Sequence, residues 1–195
     1  MIHFLNAIDC RLDDFLDLSP WKRTELDLGC GSGGFSISLA GANPDTLVLA
    51  ADVMVARLRK VEKLKNRDGL KNLELLRVEA RHLTGRILPD ACLDRIHILC
   101  PDPWPKHKHK GNRLMSSEFM MSLRRILKPD GVLHFATDDP RYMNAALDNI
   151  ISSGLFEQLP QDALSDVASF KTEFEKDWLS IGRTVPHVAF RPAGN

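Results

Sequence analysis

The sequence predicts an α/β fold: a doubly wound, mostly parallel sheet with helices on both faces, closed by an antiparallel hairpin near the C-terminal end. Three observations lead there. Short apolar runs of strand length alternate with amphipathic runs of helical period. One run, Thr46–Ala51, is apolar at every position after its threonine, as a strand covered on both faces requires. A cluster of glycines (Gly29, Gly31, Gly33, Gly34) joins the first strand to a helix, which is where an open parallel sheet receives ligands.

The elements follow in order. Residues 3–18 place Phe4, Ile8, Leu12, Phe15 and Leu16 on one helical face and predict an amphipathic helix. Thr24–Leu28 is a short strand running into the glycines, and Gly33–Leu39 opens a helix. Thr46–Ala51 is the second strand. Val53–Arg67 is a helix with Leu58, Val61 and Leu64 inward and its charged residues outward. Leu73–Val78 and Arg95–Cys100 are the third and fourth strands. Ser116–Leu127 is a helix stopped by Pro129-Asp130-Gly131, and Val132–Ala136 is the fifth strand. Asp139-Pro140 starts another helix, with proline at its tolerated first position and Gly154 beyond its end. Residues 155–195 are less regular and hold the hairpin, with Val185–Arg191 its clearest strand. The organisation expected is one domain over 1–195: an N-terminal helix in 1–20, a cofactor-binding core in 21–154, and a hairpin and substrate segment in 155–195.

A chain of 195 residues is long enough for one domain with a proper core. Its 44% hydrophobic and 27% charged residues are the composition of a soluble globular protein. The formal net charge is zero, so any attraction to a polyanion must be local. The local candidate is residues 106–113, where Lys106, Lys108, Lys110 and Arg113 stand with His107 and His109 and no acid. The four cysteines have no CxxC pairing and no histidine at ligand spacing, so reduced buried thiols are expected and no metal. The acids Asp9, Asp13, Asp14 and Asp17 argue against a signal peptide. No apolar run reaches membrane-spanning length, and a cytoplasmic location without membrane contact is expected.

The chemistry concentrates at two places. At the end of the fourth strand, Asp102 sits between Pro101 and Pro103, followed by Trp104. Proline fixes φ and removes a donor, so this carboxylate occupies a stiff, non-helical corner. A rigid acid, an aromatic plate and a cationic skirt suit a polyanion with a base to be held. The other place is Asp27-Leu28-Gly29-Cys30-Gly31-Ser32-Gly33-Gly34, where glycines let the backbone approach a ligand. Its spacing is ambiguous. Gly29, Gly31 and Gly34, with Asp52 further on, fit a dinucleotide fingerprint. Gly29, Gly31 and Gly33 after an acid fit an S-adenosylmethionine loop equally well. Three features favour the methyl donor: Asp27 at the strand end, where an acid can pair with the donor's amino group; Leu127-Lys128-Pro129-Asp130-Gly131-Val132-Leu133, which resembles the turn before strand five of class I methyltransferases; and Pro101-Asp102-Pro103-Trp104, which is similar to the proline-aromatic motif of amino-directed methyltransferases.

Together these residues resemble the bacterial tRNA (guanine-N7-)-methyltransferase family, whose signature is PDPWxKxRHxKRR. Pro101, Asp102, Pro103, Trp104, Lys106, His109 and Arg113 match it. Thr137-Asp138 is similar to the family's TD motif. Thr172-Glu173-Phe174-Glu175, with Trp178 and Gly182 beyond, is similar to its TxFE/TxYE motif. The resemblance runs from about residue 24 to the end. It implies a Rossmann-like class I methyltransferase with a seven-stranded sheet, S-adenosylmethionine as cofactor and tRNA as substrate.

On that resemblance the cofactor residues are Asp27 toward the donor's amino group, the loop Gly29, Gly31 and Gly33, Asp52 toward the ribose hydroxyls, Glu79 near adenine, and Asp102. Asp102 is the catalytic residue, set between donor and base. Lys106, Asp138, Thr172, Glu173, Phe174 and Glu175 take the substrate, and the basic loop 106–113 takes the tRNA backbone. Departures are visible. Lys108 stands for arginine, Gly111 for lysine, Asn112 for arginine, Glu79 for aspartate and Ser32 for lysine. The sequence is also short at its N-terminus, where relatives often carry an arm. The thinned basic run removes about one unit of salt slope per lost phosphate contact.

Plainer readings compete. Asp52 and Asp138 also read as helix N-caps, and Thr172-x-x-Glu175 as a capping box. His97 and His134 read as satisfied core residues. Whether Trp104 stacks on a base or buttresses the loop stays open. At the level of function the rivals are a NAD-binding oxidoreductase, a methyltransferase of a protein or small molecule, and a non-catalytic tRNA-binding module.

Overall fold

Residues 1–5, 10–102 and 114–194 are described in a computed structural model. Along them run β1 (Ile2–Phe4), β2 (Arg23–Leu28), α1 (Gly34–Ala42), β3 (Thr46–Asp52), α2 (Val55–Arg67), β4 (Leu73–Arg77), the single turn α3 (Ala80–His82), β5 (Leu93–Leu99), α4 (Ser117–Ile126), β6 (Leu127–Ala136), α5 (Pro140–Ser152), β7 (Phe156–Gln158), α6 (Glu173–Ser180) and β8 (His187–Pro192). The strands form one eight-stranded sheet in the order β1-β4-β3-β2-β5-β6-β8-β7. Strands β1 to β6 pair in parallel, and β8 runs antiparallel to both β6 and β7. The doubly wound class and the C-terminal hairpin follow the reading of the sequence, with one more strand than the seven expected.

That extra strand is a correction to the predicted N-terminal helix. Ile2–Phe4 pair with Leu75–Arg77 of β4, and the Leu5 amide donates to the Arg77 carbonyl at 3.1 Å. Phe4 is 58% exposed instead of facing the core. Further on, Leu12–Asp14 make a 3₁₀ turn with Leu12 buried; Ile8 lies outside the described residues. The helical spacing of the apolar residues misleads because a short helix is marginal in water alone. The open edge of β4 offers a full row of backbone partners instead.

Two cores cover the sheet, one per face, because successive side chains alternate. Leu26, Leu49, Ile96, Ile98 and Phe135 pack with Phe119 and Leu123 of α4 and Tyr142 of α5. Val48, Ala50, Leu73 and Leu75 pack with Phe35 and Leu39 of α1 and Leu58 and Val61 of α2. The predicted stop at Pro129-Asp130-Gly131 is instead a bulge inside β6, where the register against β5 jumps from Leu93↔Leu127 to Arg95↔Val132. Gly131 is needed there: an added Cβ would lie 2.9 Å from Leu127 Cδ2 and 3.2 Å from the Leu93 carbonyl oxygen. All four cysteines are free thiols. Among the described residues no helix is long and apolar enough to cross a membrane.

From β2 the chain goes outward to β3 and β4, then returns to place β5 on the other side of β2. The winding reverses between β2 and β5, and the carboxyl ends of those two strands frame a crevice.

Candidate active site

The crevice is built on the loop after β2. The amides of Gly29 and Cys30 donate to the Ala51 carbonyl at 2.8 and 2.9 Å, so the loop is clamped to the end of β3. Gly31 and Gly33 have φ of 57° and 81°, which side chains rarely adopt. They differ in surroundings. A Cβ on Gly31 would meet nothing within 4 Å, whereas on Gly33 it would lie 2.6 Å from Val61 Cγ2. Gly31 therefore keeps the crevice open, and Gly33 lets α2 approach the loop. Asp52, buried at the end of β3, accepts from the Gly31 amide at 3.1 Å and the Met54 amide at 2.7 Å. Arg57 Nη1 stands 3.5 Å from its Oδ2.

Two adjoining hollows occupy the crevice, of about 240 and 560 Å³. The smaller is bounded by Asp52, Val53, Val78 and Glu79, and the larger by Gly31, Asp138, Thr172, Glu173, Phe174 and Trp178. Gly29, Arg57 and Leu99–Asp102 border both, so exposed Asp102 stands on the seam. Cys100 turns the chain out of the sheet there with φ of 51°, while its amide still donates to the Ala136 carbonyl at 2.8 Å. A non-glycine residue in that region stores local strain, and such outliers gather at functional clefts.

The structure brings Gly29, Gly31, Gly33, Asp52, Glu79, Asp102, Asp138, Thr172, Glu173 and Phe174 to the walls of these hollows. Trp104, Lys106 and the rest of the basic loop 106–113 lie outside the described residues. The helix cap that competes as a reading of Asp138 is made by Asp139, at the predicted helix start: its Oδ1 accepts from the amides of Arg141 and Tyr142 at 2.8 and 3.0 Å, and Asp138 lines the hollow. Glu79 and Thr172 do both jobs. Glu79 accepts from the His82 amide at 2.9 Å and Thr172 from the Glu175 amide at 3.1 Å while each lines a wall.

Asp27 and Glu175 line neither hollow. Asp27 is buried behind the loop and accepts from the Ser36 hydroxyl. Burial, opposed by that hydrogen bond and reinforced by the charge of Asp52, raises its carboxyl to about 7. Glu175 is turned inward, and its Oε1 meets His187 Nε2 at 2.9 Å and Lys171 Nζ at 2.7 Å. Although burial opposes it, those partners hold the carboxyl below its usual range. The reciprocal half of a capping box is thereby given up.

Arg57, Cys100 and Trp178 were not singled out as site residues by sequence. The signal for Arg57 was its place just after Asp52, in the first turn of α2. The Trp178 indole N–H is buried with no hydrogen-bond partner among the described residues, and its ring packs edge-on against Phe174 at 5.6 Å. An orphaned donor beside an open hollow is an arrangement a polar ligand would complete. The crevice also fits the expected methyl donor. It offers a glycine cradle without side chains, a carboxylate at the end of β3 for a diol, and a cation in Arg57 for a carboxylate group. Among the described residues no group of three or more His, Cys, Asp or Glu is placed to hold a metal ion.

A family model described as "Putative methyltransferase" matches residues 22–188. The tRNA (guanine-N(7)-)-methyltransferase of Caulobacter vibrioides is 38% identical over 142 residues, 72% of this chain and 62% of that protein. That of Thermotoga maritima is 31% identical over 172 residues, 87% of this chain and 54% of that protein. The chain thus spans less than two thirds of the length of these two relatives. The enzyme of the same name from Syntrophotalea carbinolica is 30% identical over 168 residues, 85% of this chain and 72% of that protein. Among solved structures, the 16S rRNA methyltransferase KamB superposes with a TM-score of 0.64 at 18% identity, and the aminoglycoside resistance methyltransferase NpmB1 with 0.62 at 22%; each match covers 90% of both chains. At those identities the likeness speaks for the fold.

Proposed function

The chain belongs to this putative methyltransferase family, alongside tRNA (guanine-N(7)-)-methyltransferases, and from that premise we propose that it transfers a methyl group from S-adenosylmethionine to N7 of a guanine in tRNA, in the cytoplasm. The observation that carries the reading is the seam position of Asp102, bordering both hollows at the switch point of the sheet. One hollow has the acids suited to a nucleoside, Asp52 and Glu79. The other has Asp138, Thr172, Glu173 and Phe174 around space for a base.

S-adenosylmethionine, when bound, supplies an electrophilic methyl group on a sulfonium. Gly29, Gly31 and Gly33 would cradle it, Asp52 would take the ribose hydroxyls, Glu79 would stand on the adenine side, and Arg57 would offer a counter-charge to its carboxylate. Asp27 supports the loop from behind. The guanine N7 carries a lone pair and no proton, so no side chain need act as a general base. As the base becomes cationic, acceptors near its ring are what help. Asp102 supplies that negative charge while orienting donor and base, and Asp138 accepts from the N–H groups of the guanine edge. Thr172, Glu173 and Phe174 close the base's side, and Lys106 with the basic loop 106–113 holds phosphate. By fixing donor and base side by side, these residues would supply most of the acceleration through positioning. A base drawn from tRNA tertiary structure costs a few kcal/mol, offset by backbone contacts to the basic loop.

The test is to incubate the protein with radiolabelled methyl donor and bulk tRNA, then cleave chemically at 7-methylguanine. Label in tRNA at cleavable guanines is expected. Label in protein or free metabolite while tRNA stays cold refutes the reading.

A further inference from the structure

On the sheet face that α1 covers, polar side chains form a line across four neighbouring strands. Glu25, His97, His134 and His187 come from β2, β5, β6 and β8, four neighbours in the sheet. His97 and His134 are direct register partners. Glu25 Oε2 lies 2.9 Å from His97 Nε2, and His97 Nδ1 lies 2.9 Å from His134 Nδ1. His134 Nε2 lies 2.8 Å from His187 Nδ1, and His187 Nε2 lies 2.9 Å from Glu175 Oε1 on α6. Phe35 closes over His97 and His134, with ring centroids 4.7 and 6.3 Å away. Both histidines are buried, at 0% and 2% exposure.

Counting protons decides what this line must contain. It has four contacts, two carboxylate–imidazole and two imidazole–imidazole. Each contact needs one hydrogen between its two heavy atoms. A neutral imidazole carries one N–H, so three neutral rings leave one contact as two lone pairs facing each other. One added proton satisfies every contact with both carboxylates ionised, and makes one ring an imidazolium. The surrounding charges choose the ring. At the Glu25 end Arg23 Nη2 stands 3.0 Å from the carboxylate and Arg95 adds its charge, itself paired to Asp166 at 2.9 Å. At the Glu175 end the cation among the described residues is Lys171, with the neutral Cys100 thiol nearby. The less compensated carboxylate is Glu175, and His187 is also the ring with some access to water, at 17% side-chain exposure. Burial pushes both His97 and His134 toward their neutral forms.

We propose that this chain holds one proton beyond three neutral imidazoles, that the proton rests on His187, and that the resulting His187–Glu175 pair positions the first turn of α6 against the glycine loop. The inference deepens the proposed function by naming what sets its substrate wall, and rests on that reading for the wall's role alone. The linkage is short: the Glu175 amide donates to Thr172 Oγ1 at 3.1 Å and the Lys176 amide to the Thr172 carbonyl at 3.0 Å. Pinning the Glu175 side chain therefore fixes Thr172, and with it Glu173 and Phe174. In this account Glu175 is a positioning residue that does not itself touch the base.

The test is carried out on the whole ¹⁵N-labelled chain without ligand, by long-range ¹H–¹⁵N correlation of the imidazole nitrogens. Both nitrogens of His187 should carry a proton in the folded chain, and one nitrogen each of His97 and His134. Three neutral rings, or an imidazolium at His97 or His134, overturns the proposal. His187→Gln keeps a donor toward Glu175 but cannot hold the proton. Amide exchange at Phe174–Lys176 should quicken about tenfold in that variant while α5 keeps its protection; unchanged exchange in a folded variant overturns the positioning role. If the variant does not fold, the spectrum of the unaltered chain decides alone. Neither readout uses tRNA or methyl donor, so a failure to methylate tRNA would sink the proposed function and leave this inference standing.

Discussion

Gly33→Ala probes the contact between the glycine loop and α2. Two costs arise. Alanine at φ of 81° is strained by about 1–2 kcal/mol. Its Cβ would also sit 2.6 and 2.7 Å from the two methyls of Val61, and forcing a methyl into a packed site costs about 1–3 kcal/mol. Stiffening the unfolded chain returns about 0.4–1 kcal/mol, leaving a loss of about 2–4 kcal/mol. For a domain of this size that lowers Tm by roughly 5–15 °C. Gly31→Ala is the control: its φ of 57° carries the strain, but no atom lies within 4 Å of the added Cβ. It should lose only about 1 kcal/mol. Val61→Ala removes the obstacle, so Gly33→Ala with Val61→Ala should be less destabilised than the sum of the singles by about 1–3 kcal/mol. Urea unfolding followed by circular dichroism measures all four proteins. Equal losses at Gly31 and Gly33, or additivity within about 0.5 kcal/mol in the double variant, would refute the argument that Gly33 is required by α2.

Four other outcomes are expected. Asp27 carries a raised pKa of about 7, so between about pH 4 and about pH 7 the folded chain holds a proton the unfolded chain has lost, and its contribution to stability declines as pH rises through that window; in Asp27→Asn, urea midpoints across the window should lose that decline. Asp139→Ala should cost about 1 kcal/mol through the lost α5 cap in thermal melts, whereas Asp138→Ala should leave stability within about 0.5 kcal/mol and reduce methylation of tRNA. Asp102→Ala should abolish turnover with the melting curve unchanged, because an exposed corner carries few packing contacts; an unfolded variant would make Asp102 structural. Asn72→Ala should destabilise by about 2–3 kcal/mol in urea titration, since the buried Asn72 Nδ2 serves the carbonyls of Ala40, Asn43 and Thr46, each at 2.9 Å.

Much of the site was legible before any fold was known, where local chemistry forces the geometry. The glycine spacing after a strand, the acid at the end of the next strand and the proline-flanked Asp102 all act within a few residues, and each arrives at the crevice wall. Asp139-Pro140 reads as the start of α5, and Asp139 caps it; Asp138 is chemically alike, and only the backbone direction shows that it faces the hollow instead.

By itself the sequence determined the alternation of strands and helices, the hairpin at the end and the residues that gather at the switch point, because periodicity, capping and turn chemistry are short-range. Tertiary structure alone decided the rest. It turned the first residues into an eighth strand, since an open sheet edge is visible only once β4 exists. It drew Asp27 and Glu175 inward, and joined Glu25, His97, His134 and His187 into one hydrogen-bonded line. Those partners lie 72, 37 and 53 residues apart along the chain, and strand register, a property of the assembled sheet, is what sets them face to face.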